Sequence, residues 1–91
     1  MNIPVPPLED LVEFPTVFRF HAVMAAEDDL GDRCRAAAET ALERAVVDLE
    51  LVESSAGRWV SVRIRAEVVN ADEIRAVYAA ISEVGTVRLL L

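Results

Sequence analysis

The chain contains no lysine; all nine of its strongly basic residues are arginine. That excludes any chemistry running through a lysine amine, such as a Schiff base or the phosphate-gripping lysine of a P-loop. There is one cysteine, Cys34, so no internal disulfide can form. With no basic-then-apolar stretch at the start to mark a secretory signal, the expected setting is the reducing cytoplasm. No apolar run reaches the roughly 18 residues of a membrane helix, so no membrane association is expected. Positive charge is scarce overall. A net charge of -7 argues against general nucleic-acid binding, because neutralising phosphates takes a basic surface.

Catalytic signatures are also missing. His21, the only histidine, has no second ligand at metal spacing and no serine or cysteine partner beside it. Cys34 falls on an apolar helix stripe, where a buried structural thiol is expected rather than a nucleophile. Gly57 and Gly85 read as turn and cap glycines, not a phosphate cradle. The acidic runs Glu27-Asp28-Asp29 and Asp48/Glu50 read as a helix start and a polar strand face, not a metal site. No cofactor and no metal are expected. An enzyme is the most distant of the alternatives.

What is present is a succession of periodic segments. Residues 1–7, with Pro4, Pro6 and Pro7, form an extended, mobile lead-in to a single domain over 8–91. Residues 8–14 can form one helical turn, stopped by Pro15. Residues 17–24 alternate, with Phe18, Phe20, Ala22 and Met24 on one face and Val17, Arg19, His21 and Val23 on the other. Leu30, Cys34, Ala37, Ala38, Ala41, Leu42 and Ala45 then make a helical stripe rich in small residues. Residues 46–53 alternate again, with Val47, Leu49 and Leu51 opposing Asp48, Glu50 and Val52. Ser54-Ser55-Ala56-Gly57 reads as a hairpin loop needing a positive φ at the glycine.

Residues 58–69 are the longest strand, with Val60, Val62, Ile64, Ala66 and Val68 opposing Trp59, Ser61, Arg63, Arg65 and Glu67. Asn70 followed by Glu73 reads as a capping box variant, opening a helix whose face is Ile74, Val77, Tyr78 and Ile81. Gly85 is expected to end that helix as a C-cap glycine. A last strand runs over 86–91, with Val87, Leu89 and Leu91 on one face.

The order βαββαβ predicts an α+β, ferredoxin-like sandwich: a four-stranded antiparallel sheet with both helices on one face. Right-handed crossovers put the first and third strands in the centre. Parity then places Val17, Arg19, His21 and Val23, Trp59, Ser61, Arg63 and Arg65, and Thr86, Arg88 and Leu90 on the open face. A chain of net charge -7 thus gathers four of its nine arginines beside its only Trp and only His. Arg19, His21, Trp59, Arg63, Arg65 and Arg88 are the candidate binding residues, suited to a carboxylate, a phosphate or an acidic partner. The plain alternative is a solvated face whose arginines pair with Asp48, Glu50 and Glu67. An RNA-recognition sheet wants two or three exposed aromatics, and only Trp59 qualifies. Exposed Val17, Val23, Trp59 and Leu90, with the sheet edges, also allow a homodimer.

Three stretches carry a resemblance. They are Leu11-Val12-Glu13-Phe14-Pro15-Thr16 followed by Phe18, then Ser54-Ser55-Ala56-Gly57-Arg58-Trp59-Val60-Ser61-Val62, then Val77-Tyr78 through Val87-Arg88-Leu89-Leu90-Leu91. In this order and spacing the chain resembles the YbeD-like family of small bacterial proteins, a domain of unknown function, over nearly its whole length from Leu8. It departs at Val17, where the family has Pro, and at Trp59, where it has Tyr. The resemblance implies an ACT-like version of the ferredoxin-like fold and no activity. ACT-like domains commonly bind amino acids or other small molecules and control attached or partner enzymes. The expected function is therefore a non-catalytic regulatory or adaptor module that binds a protein partner through the open face. The alternative is a sensor of an amino acid or small carboxylate bound at a dimer interface near residues 27–31; a small anionic ligand on the arginine face is a further possible partner.

Overall fold

The computed structural model describes residues 11–54 and 56–90, so the proline-rich lead-in expected at 1–7 lies outside the described residues. The elements run β1 (Thr16–Ala25), α1 (Leu30–Leu42), β2 (Asp48–Glu53), β3 (Trp59–Val68), α2 (Ala71–Val84) and β4 (Val87–Leu90). The sheet order is β2-β3-β1-β4, with every pair antiparallel. Both helices cover one face. This is the expected ferredoxin-like βαββαβ sandwich, with β1 and β3 central.

The core follows strand parity. Phe20, Ala22 and Met24 of β1 and Val60, Val62, Ile64, Ala66 and Val68 of β3 are buried against Leu30, Cys34, Ala38 and Leu42 of α1 and Ile74, Val77 and Ile81 of α2. Phe20 is the hub of the aromatic packing. It makes edge-on contacts with Phe18 at 4.8 Å and Tyr78 at 5.2 Å between ring centroids. Phe14 packs on the core's margin, next to a cis Phe14–Pro15 bond.

α1 ends three residues short of the Ala45 stripe position. Glu43 takes a left-handed φ of 56°, and its amide donates to the Glu39 carbonyl at 2.8 Å. The Glu39 carboxylate then accepts from the Val46 amide at 2.9 Å, so the chain turns toward the sheet and leaves Ala45 exposed. β2 accordingly starts at Asp48 rather than Val46, and Val47 is 56% exposed. Gly31 has a use beyond its helix-propensity cost. A Cβ there would lie 3.0 Å from Leu51 Cδ1 and 3.5 Å from Leu49 Cδ2, so its absence lets α1 sit close over the edge strand.

The capping box at α2 is as expected. Asn70 Oδ1 accepts from the Glu73 amide at 2.9 Å, and the Glu73 carboxylate accepts from the Val69 amide at 2.8 Å. Gly85 is different. Its backbone is extended (φ -169°), so no left-handed cap forms there. A Cβ at Gly85 would meet the tip of the Glu27 side chain, which is free to give way.

β4 carries the other departure. A bulge between Val23 and Met24 pairs Met24 with Val87 but Ala22 with Leu90, making Arg88 the extra residue. Directly paired residues of antiparallel strands share a face. Leu90 therefore shares the helix-side parity of Ala22, not the open face, although it is 41% exposed at the sheet margin.

Candidate functional site

The uncovered face of the sheet is built by alternation along three paired strands. Asp48, Arg65 and Arg19 lie in one cross-strand row, and Glu50, Arg63 and His21 in the next. These two rows surround a cleft of about 710 Å³, with the sheet at Phe20, Leu49 and Ile64 as its floor. Four of the six candidate residues, Arg19, His21, Arg63 and Arg65, are thereby brought together.

Trp59 and Arg88 are not part of that cleft. Trp59 lies four residues before Arg63 on β3, about 13 Å away at the usual strand rise. The Arg88 guanidinium lies over the Trp59 ring, 5.2 Å from the centroid. The candidate surface is thus two clusters on one face.

The arginines differ in state. Arg65 is engaged: Nε donates to the two Asp48 carboxylate oxygens at 3.1 and 2.9 Å, and Nη2 reaches the same carboxylate. The Arg65 hydrogen bond holds Asp48 below the usual carboxylate range, with Arg65 charge and nearby Arg19 adding to it. Both partners are about half exposed, so the pair is screened by solvent. The cross-strand pairings of the other arginines with Glu50 and Glu67 do not form. Among the described residues, Arg19 and Arg63 make no ion pair within 4 Å, although Glu50 stands opposite Arg63 in the register.

His21 is half-buried and lines the cleft, yet its Nε2 is buried without a hydrogen-bond partner among the described residues. On the other side of the sheet the backbone amide of His21 bonds the Tyr78 hydroxyl. Burial pushes the Tyr78 phenol above its ordinary range and that bond pulls it back.

The loop proposed for a small-carboxylate site has the wrong charge. The pocket at the start of α1, about 280 Å³, is lined by Glu27, Asp29, Asp32 and Glu53. Cys34 is fully buried, and its thiol points at Met24 Sδ at 3.7 Å. Burial pushes the thiol above its usual range, against the pull of Arg33, which is the wrong direction for a nucleophile. Among the described residues no group of three or more His, Cys, Asp or Glu could hold a metal ion. No helix among them is long and apolar enough to cross a membrane.

Residue-by-residue reading missed Arg44. It forms a fork-to-fork pair with Glu73 and belongs to the scaffold rather than the cleft. Its position just past a helix end carries no periodic signal.

Residues 9–91 match the family described as Protein of unknown function (DUF493). A relative called UPF0250 protein, from Shewanella halifaxensis (strain HAW-EB4), is 32% identical over 83 residues, spanning 91% of this chain and 93% of that one. The solution structure of protein HP0495 from H. pylori superposes with a TM-score of 0.73 at 21% identity, covering 100% of this chain and 97% of that one. At that identity the structural likeness speaks for the fold.

Proposed function

Since the chain belongs to the DUF493 family, the YbeD-like proteins of unknown function, we propose that it is a non-catalytic regulatory or adaptor module whose open sheet face binds an acidic segment of a protein partner. One observation carries the reading. Arg19 and Arg63 stand on an uncovered face without ion-pair partners among the described residues, in a protein whose net charge is -7. A guanidinium on such a face is ready to pair with a carboxylate in bidentate geometry. Val17, 48% exposed, and half-buried Trp59 add apolar ground on the same face. The acidic lining at the start of α1 speaks against the alternative, a sensor holding a small carboxylate there.

The test is capture of a partner on immobilised wild-type protein, its identification, and direct binding with both proteins purified. Arg63→Glu is expected to abolish binding and to leave stability within about 0.5 kcal/mol, as is usual for an exposed position. Binding should also weaken with added salt. A purified partner that binds Arg63→Glu as well as wild type would sink the reading.

A further inference from the structure

We infer that Arg19, His21 and Arg63 form a receptor for a phosphoryl group. The inference rests on the reading of the open face as the binding face and names the chemistry it recognises.

His21 pairs directly with Arg63, and Arg19 pairs with Arg65, one step along the same face. Side chains directly opposite one another start about 5 Å apart, and diagonal neighbours such as Arg19 and Arg63 about 7–8 Å apart. Long guanidinium side chains at that separation converge readily on one small anion. Two strands therefore present three nitrogen-bearing groups to one volume.

None of the three is satisfied by the protein. Arg19 and Arg63 make no ion pair among the described residues, and His21 Nε2 is buried without a partner there. A buried ring nitrogen in that state is costly, and a turn of the half-buried imidazole toward the cleft would bring it to a ligand oxygen that relieves the cost. Arg65 does not compete for the ligand, because it is held by Asp48. That pair also neutralises the carboxylate that would otherwise repel an anion from the cleft.

The shape of the donor set selects the ligand. A planar carboxylate is satisfied by one guanidinium fork, leaving the other two groups idle. A phosphoryl group offers three strong acceptor oxygens and close to two charges near neutral pH. Each oxygen can take one of the three donors. The opposing influence is Glu50, which faces Arg63 from β2 and lines the same cleft. Its charge weakens anion binding, and this supplies a diagnostic variant.

The experiment titrates the full chain with inorganic phosphate, with acetate, with O-phosphoserine and with a short phosphoserine peptide, followed by amide chemical shifts. Phosphate is expected to move the signals of Arg19, His21 and Arg63 and to bind at least about tenfold more tightly than acetate, a difference of about 1.4 kcal/mol. Arg63→Gln and Arg19→Gln should each cost about tenfold, and His21→Ala a few-fold. Glu50→Gln should tighten binding a few-fold, which a nonspecific loss of structure could not do. A peptide at least tenfold tighter than phosphate places the group on a protein. Equal affinities place it on a small molecule; either result upholds phosphoryl recognition.

The inference is overturned by phosphate binding weaker than about 10 mM, by phosphate binding unchanged in Arg63→Gln, or by acetate binding as tightly as phosphate. If phosphate fails while the captured partner still depends on Arg63, only the phosphoryl inference falls and the acidic-partner reading stands.

Discussion

Arg44 and Glu73 meet fork to fork. Nη1 and Nη2 each donate to one Glu73 oxygen at 2.9 Å, and Nη1 also donates to the Glu67 carbonyl at 2.8 Å. Glu73 in turn accepts from the Val69 amide. One carboxylate thus ties the loop after α1 to the junction of β3 and α2. The Arg44 hydrogen bond holds Glu73 below the usual carboxylate range, helped by the Val69 amide and the Arg44 charge and opposed by desolvation.

This pairing predicts part of the acid limb of stability. A carboxylate with a lowered folded-state pKa contributes stability that is present above its unfolded value, about 4.3 for glutamate, and is lost as pH falls through the folded value. Glu73→Gln is expected to flatten the fall in stability below about pH 4 relative to wild type. Urea midpoints measured from pH 7 down to pH 3 check it. A mutant whose acid limb parallels wild type would show that Glu73 is not a contributor.

The cap of α2 predicts a plain loss. Asn70→Ala removes the acceptor for the Glu73 amide and should cost about 1 kcal/mol. Chemical denaturation at neutral pH measures this, and a change below about 0.3 kcal/mol would contradict the assigned role.

The two late glycines should behave oppositely. Gly57 sits at φ 71° with nothing within 4 Å of its Cβ position, so Gly57→Ala pays only backbone strain, about 1 kcal/mol. Gly85 is extended, and its Cβ would meet only the tip of the flexible Glu27 side chain. Glu27 can swing away at the loss of a loose 3.8 Å contact with Arg33, so Gly85→Ala should stay within about 0.5 kcal/mol. Thermal melts of the two variants decide it; the reverse ranking would show that the Glu27 side chain cannot swing clear of the added Cβ.

Cys34 should be inert while the protein is folded. It is fully buried against Met24 and its pKa is raised by burial. A thiol reagent at neutral pH is expected to label it only at the rate at which the core opens, and rapidly in denaturant. Fast labelling of the native protein would contradict its placement.

The strands of the fold were legible because each half-buried strand writes its two faces in alternation. Phe18-Phe20-Ala22-Met24 and Val60-Val62-Ile64-Ala66-Val68 leave no other parity, and so Arg19, His21, Arg63 and Arg65 could be placed on the open face from spacing alone. Asn70 and Glu73 were equally readable, because capping is local chemistry. Edges were less legible. Val47 and Ala45 fit their periodic patterns and lie outside both elements, because a left-handed Glu43 and the Glu39 carboxylate end the helix early. Leu90 fell on the other parity because a bulge is a pairing between two strands, invisible in either one.

Local sequence by itself therefore determined the element order, the core faces and the arginine face, since each depends on period and short-range hydrogen bonding. Tertiary structure decided which arginines are free. Arg65 is taken by Asp48, Arg44 by Glu73 and Arg88 by Trp59, whereas Arg19 and Arg63 make no ion pair among the described residues. Those pairings join residues distant along the chain, and only the register of the folded sheet and the packing of its helices brings them within reach.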